Sequence, residues 1–445
     1  MTQESLTSSA RPSPAWFQDG VIYQIWLRSF TPEGTLKAAA ARLADIADLG
    51  ATVVYLSPVF LADTDERREF WSTRQKASPA KNPRNPYRAA DFTRVDPEYG
   101  TEVDLRAFMA EAHRVGLRVL MDLVYHHAGP GKMWAEHPGW FLRDAQGQPL
   151  KNTWNFLRLD LQNPQLRAHL IDDMRHWLEI GADGFRCDVS GAVPLDFWVE
   201  ARRALAAARP DLAMLAENQD LGAEQEEAFD ASYAFGWYDR LVKVAAEGAS
   251  TEVLRSEHQK QARRYPQGAR FIRYSDNHDL HRASVVFGAS GERAITLLHF
   301  ALDGIPFIYN GQEIGDATPQ DLFSHWPILW AAGALPHKNI LRSWWQGLCR
   351  LRRSGALLPR QPITWLETQG RGDDDVLAFY KTAGEGGCLC AVNLRNQPVT
   401  VAYGAPDLKG RHFKSLLPDL ALPVSMGEET LISLPPWGVA LANWG

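Results

Sequence analysis

From residue 21 to about 355, short apolar, β-branched runs alternate with longer amphipathic segments, which confines this part of the chain to βα units around a parallel sheet. Eight runs read as strands: Val21–Trp26, Thr52–Leu56, Leu117–Val124, Gly184–Asp188, Ala213–Glu217, Phe229–Phe235, Phe271–Tyr274 and Ile305–Tyr309. Eight strands predict a closed (β/α)8 barrel, an α/β fold. Between them, Leu105, Phe108, Met109, Ala112 and Val115 recur at helical spacing after Gly100-Thr101, and Gly116 stops that helix. Leu166, Leu170, Met174, Trp177 and Leu178 do the same before the fourth strand. After about Leu358 the pattern changes to short alternating runs broken by Gly and Asn, such as Leu377–Tyr380, Cys388–Asn393 and Val399–Tyr403. The predicted organisation is a barrel domain over 1–357 and a C-terminal antiparallel β-sandwich over 358–445.

Composition narrows the function classes. Hydrophobic residues make up 45% and charged residues 22% of the 445, which is globular composition able to bury a large core. Lys+Arg 47 against Asp+Glu 53 leaves a net charge of −6 with no block of like charge, so no nucleic-acid partner is expected. No stretch approaches about 18 uninterrupted apolar residues, so no spanning helix or membrane partner is expected. The segment Met1–Asp19 is polar and Pro/Ser-rich without a secretory pattern, which predicts a cytoplasmic address. Cys187 and Cys349 are isolated, and Cys388 and Cys390 share one face of a strand; all four read as reduced, buried thiols. No signal of oligomeric state is present.

Two connections exceed what a barrel needs. One, at 62–86, is polar and carries Arg67, Arg68, Arg74, Lys76, Lys81 and Arg84, for which a solvated loop is the default reading. The other, at 128–161, forms a short inserted loop domain after strand three and carries Trp134, Trp140 and Trp154. Both follow strands, on the side where barrel active sites are built, and so are candidate walls of a cleft.

Catalytic side chains of such barrels come from the C-terminal ends of several strands. Here strand three ends Asp122-Leu123-Val124-Tyr125-His126-His127, strand four Arg186-Cys187-Asp188, strand five Glu217-Asn218, and strand seven leads into Asn277-His278-Asp279. Glycoside hydrolysis needs such a set: an acid for the leaving oxygen, a second carboxylate across the anomeric carbon, and a third anion for the oxocarbenium-like charge. Any single carboxylate has the alternative role of helix cap or arginine partner, and their joint occurrence carries the reading. His126 and His127 read as metal ligands of a metal-dependent hydrolase only if both face one ion, which strand alternation opposes.

These segments resemble, in order and spacing, four signature regions of the α-amylase family, glycoside hydrolase family 13. Leu56-Ser57-Pro58-Val59-Phe60, Asn85-Pro86-Tyr87 through Asp96–Thr101, and Gly304-Ile305-Pro306 through Gly311-Gln312-Glu313 support the match, which covers residues 21 to about 355. The resemblance implies Asp188 as nucleophile, Glu217 as acid/base and Asp279 as transition-state stabiliser. It implies that Arg186 holds Asp188 ionised, that His127 and His278 bond sugar hydroxyls, and that Tyr87 stacks beneath the ring. The implied activity is retaining hydrolysis of α-1,4 bonds in maltodextrin or other α-glucan substrates. A transglycosylase or isomerase of the same family, such as a glucanotransferase or a trehalose-forming enzyme, remains open, as does a non-catalytic carbohydrate-binding relative.

Three positions depart from the family pattern. His126 replaces the asparagine that binds a structural calcium, and Gly191 and Ala192 replace a Lys-His pair serving the acceptor side and the calcium. An imidazole is a poor ligand for a hard cation, so no calcium, no other metal and no cofactor are expected. The acceptor side is then expected to be built from the 62–86 insertion, or from Asn218 and the Trp-bearing loop.

Overall fold

In the computed structural model, eight parallel strands close on themselves; residues 8–445 are described except 219–221, 320, 335 and 368–373. The strands are β1 Ile22–Ile25, β2 Val53–Leu56, β3 Arg118–Leu123, β4 Gly184–Cys187, β5 Ala213–Ala216, β6 Ala231–Tyr233, β7 Phe271–Arg273 and β8 Ile305–Tyr309. Each pairs with its sequence neighbours, and Ile22 opposite Phe307 closes β1 on β8. All eight predicted runs are barrel strands. The sixth is shorter than predicted: the Asp230 carboxylate accepts from Met214 N and Arg202, and Phe235 already opens the helix Phe235–Ala245.

The helices outside the barrel follow the apolar spacing. Glu102–Arg114 begins at a reciprocal cap in which Thr101 and Asp104 satisfy each other's backbone N–H, and it buries Leu105, Phe108, Met109 and Ala112. Pro164–Ile180 begins with the Asn163 side chain accepting from Gln165 N and Leu166 N. Among the described residues no helix is long and apolar enough to cross a membrane.

Gly184, on β4, is where the barrel wall is tightest. A Cβ there would lie 2.2 Å from the Ala213 carbonyl oxygen and 2.8 Å from Leu120 Cδ2. Because the first obstacle is backbone of the adjacent strand, Gly184→Ala is expected to cost about 1–3 kcal/mol of stability, read as a lower denaturation midpoint.

The C-terminal part is two antiparallel sheets. β9 Thr364–Leu366, β10 Val376–Ala383, β11 Gly386–Asn393, β16 Val439–Trp444 and β13 Lys414–Ser415 form one in that order; β12 Val399–Tyr403, β15 Glu429–Leu434 and β14 Val424–Met426 form the other. The period-two pattern divides the first sheet between two cores. Leu377, Phe379, Cys388, Cys390, Val392 and Leu441 join the barrel core, while Val376, Ala378, Leu389, Ala391 and Ala440 join a second core with Val401, Ile432 and Leu434. All four cysteines are buried and unpaired, and Cys388 and Cys390 share a face.

Candidate active site

The carboxylates at the strand ends meet on one buried guanidinium. Arg186, wholly inaccessible, bonds Asp122 Oδ1 at 2.8 Å and Asp188 Oδ1 at 2.9 Å through Nη1, and pairs with Glu217 through Nη2. The rings of Tyr55 and Tyr233 lie 5.7 and 5.5 Å from its Cζ. Burial alone would lower the Arg186 pKa, but Asp122 and Glu217 outweigh it and raise it.

A second network orders the adjoining rings. Gln24 Nε2 donates to His278 Nδ1 at 2.8 Å, which leaves the His278 proton on Nε2, 2.7 Å from Tyr87 Oη and 3.2 Å from Asp279 Oδ2. Tyr87 O–H then donates to Asp122 Oδ2 at 2.9 Å, beside Tyr55 O–H at 2.6 Å. The rings of Trp26, Tyr87 and His278 lie within 11° of parallel with centroids 5.5–6.2 Å apart, each packed against the other two. His127 donates from Nε2 to the Tyr87 carbonyl at 2.8 Å, so its Nδ1 is an acceptor, and it has no hydrogen-bond partner among the described residues. Burial pushes His127 down to about 3 and His278 to about 4, so both are neutral at pH 7.

Val189 adopts φ 42° and ψ 41°, a left-handed conformation that a β-branched residue rarely takes, and which costs on the order of 1–3 kcal/mol. The strained turn aims Val189 N–H at Glu217 Oε2, 2.8 Å away. Glu217 is therefore held at both oxygens, one by Arg186 and one by the backbone beside Asp188.

Asp188 and Glu217 titrate as a pair. Burial raises both, Asp188 well above its ordinary value; the Glu217 charge raises Asp188 further and Asp279 adds for Glu217, with Arg186 opposing. Asp279 goes the other way. Burial would raise it, but His278, Arg74 and Arg186 together hold it below the ordinary value.

Of the seven predicted site residues, Tyr87, His127, Asp188, Glu217 and Asp279 line one cavity of about 180 Å³, together with Ser72, Arg74, Asn85, Trp154, Phe156, Val189, Leu322 and Phe323. Arg186 and His278 are not among its lining residues: Arg186 holds Asp122, Asp188 and Glu217, and His278 is held between Gln24 and Tyr87. A second cavity, of about 580 Å³, shares Trp154, Val189 and Glu217 and continues past Asn218, Phe235, Asp239, Arg240 and Lys260. Gly191 makes room for the Asn218 side chain, which lines this cavity: a Cβ there would lie 2.5 Å from Asn218 Oδ1.

Several sequence readings need correction. Arg74 is no solvated loop residue: it pairs with Asp279 at 2.8 Å and donates to the His278 carbonyl at 3.0 Å. Arg84 likewise pairs with Asp96. Of the three loop tryptophans only Trp154 reaches the cavity; Trp134 packs on Phe141, and Trp140 lies between His137 and His169. Asp122, Gln24, Tyr55 and Val189 went unassigned. Gln24, a lone polar residue in an apolar strand, carried a readable signal; Arg74 carried none.

Comparison with known proteins bears on these residues together. Residues 13–149 and 151–377 match the profile of the α-amylase catalytic domain, and 370–441 that of the maltogenic amylase C-terminal domain. The chain is 26% identical to an α-amylase of Haloarcula japonica over 90% of its own length, spanning 60% of that relative. It is 25% identical to neopullulanase 2 of Thermoactinomyces vulgaris, covering 97% of this chain and 79% of the relative. A maltogenic α-amylase of Thermotoga neapolitana superposes with TM-score 0.84 at 24% identity, covering 96% of this chain and 98% of the other.

Proposed function

Because the chain belongs to the α-amylase family of glycoside hydrolases, we propose that it cleaves α-1,4-glucosidic bonds of maltodextrins or related α-glucan oligosaccharides by double displacement with retention. The observation that carries this reading is the single guanidinium of Arg186 bonded to both Asp188 and Glu217 beside the cavity. Asp188 attacks the anomeric carbon while Glu217 passes its proton to the departing glycosidic oxygen. The carbon–oxygen bond to the leaving sugar breaks as the bond to Asp188 forms. Glu217 then takes a proton from water, whose oxygen displaces Asp188 and restores the α-anomer. Asp279, kept ionised, faces the positive charge of both transition states. His127 lines the cavity beside the donor ring, and Tyr87 presents its ring to the apolar face of the pyranose.

The calcium of the family does not fit here. The His126 imidazole stands where the oxygen ligand would be, and its pKa is lowered by burial and by the nearby Arg158 charge. A hard dication would meet an imidazole and a guanidinium instead of oxygens.

A time course on a maltooligosaccharide with added chelator tests both points. Shorter products released as α-anomers at an unchanged rate, with unchanged Tm, are expected. β-Anomers would overturn retention, loss of activity or Tm on chelation would overturn the metal-free reading, and products longer than the substrate would put a sugar in the place of water.

The pH profile follows from the coupled pair. Activity requires one proton on Asp188 and Glu217 together: it rises as the pair loses its first proton and falls as Glu217 loses the second. Since burial displaces both upward, both limbs of kcat/KM are expected at higher pH than for exposed carboxylates. An acid limb in the ordinary carboxylate range would contradict the displacement.

A further inference from the structure

We propose that the donor side of this site is a blind pocket one glucosyl ring deep, closed by Arg74, so that the enzyme acts from the non-reducing end and releases glucose; this rests on the hydrolase reading above.

The two cavities share Glu217, whose proton goes to the leaving oxygen, so they lie on opposite sides of the bond cleaved. The cavity of about 580 Å³ beyond Asn218 takes the leaving group, and the one of about 180 Å³ beside Asp279 takes the donor ring.

The end wall is the strap at 62–86 joined to Leu322 and Phe323. Ser72 Oγ caps the short helix Thr73–Ala77 by accepting from Gln75 N. The wholly buried Gln75 side chain donates to the carbonyls of Asn82 and Pro83 at 2.8 and 3.1 Å. Arg88, also wholly buried, donates to the carbonyls of Phe70, Asp65 and Pro83 at 2.9 Å. The strap is then tied across the cleft: Ser78 Oγ donates to Asp321 Oδ2 at 2.8 Å and Asn82 Nδ2 to the Phe323 carbonyl at 3.3 Å. A glucan continuing past the donor ring would have to pass between two loops that are hydrogen-bonded to each other.

Arg74 faces inward from this strap. Two of its five N–H donors are taken by Asp279 and the His278 carbonyl, and its side chain, 37% exposed, lines the cavity. The remaining donors suit the free hydroxyls of a terminal ring. An internal ring carries its next sugar at one of those positions, where the guanidinium and the strap stand.

The test compares a maltooligosaccharide with the same chain blocked at its non-reducing 4- and 6-hydroxyls, with identification of the first product. Glucose together with the chain one residue shorter as first products, and cleavage of the blocked chain slower by about 100-fold or more, are expected. Cleavage of both at similar rates, or a first cleavage whose two products both hold two or more residues, would overturn the blind pocket while leaving the hydrolase reading intact. No cleavage of either would remove that reading and the proposal with it. Arg74→Ala is expected to raise KM for the free chain about tenfold and to narrow the free-to-blocked ratio. The double variant Ser78→Ala, Asn82→Ala unties the strap away from the catalytic groups, and is expected to narrow that ratio with kcat on the free chain kept. A ratio unchanged in both variants would overturn the assignment to Arg74 and its strap.

Discussion

Asp188→Asn is expected to lower kcat on maltooligosaccharides by about 10⁴-fold or more, with no loss of Tm. The amide keeps the shape and one acceptor for Arg186 but cannot form the ester with the anomeric carbon. Stability should not fall, because burial and the Glu217 charge already make an ionised Asp188 costly in the folded state. The companion variant distinguishes the role of Glu217. Glu217→Ala should lose turnover on oligosaccharides but keep the first step on α-glucosyl fluoride, whose leaving group needs no proton. Added azide should then give α-glucosyl azide, since it attacks the opposite face of a glycosyl enzyme already inverted once. A β-azide would mean direct displacement, and activity retained in Asp188→Asn would remove this residue from the chemistry.

Arg186→Leu has the largest expected effect on stability. The side chain is wholly buried and pairs with Asp122, Asp188 and Glu217, so its removal leaves carboxylates without water and without a counter-charge. Breaking buried pairs in this way costs about 3–5 kcal/mol. The sign of its pH dependence is fixed by linkage. Without the guanidinium the carboxylate pKa values rise further above their unfolded values, so the deficit is small at low pH and grows as pH rises through them. Urea unfolding of variant and parent at pH 5 and pH 8 measures this; a deficit equal at both would show that the loss is packing against Tyr55 and Tyr233. Arg186→Lys should recover little, because one ammonium cannot reach Asp188 and Glu217 from two separate nitrogens.

Much of this protein was legible in one dimension. Period-two and helical spacings, with the Gly100-Thr101 turn and the Gly116 stop, identified the eight barrel strands and the helices between them, because burial on one face or both is written residue by residue along an element. The carboxylates of the candidate site were legible for a related reason. Asp188, Glu217 and Asp279 end strands or follow them closely, and a barrel brings strand ends to one mouth. What the tertiary structure alone decided is how those groups are joined. Arg74 meets Asp279 across 205 residues of chain, Gln24 meets His278 across 254, and Ser78 meets Asp321 across 243. No local pattern encodes such pairings, since each depends on where two separate loops or strands lie once the barrel has closed. The same holds for Val189, whose left-handed backbone no valine would announce: its strain is sustained by the packing around it and by the hydrogen bond it gives Glu217.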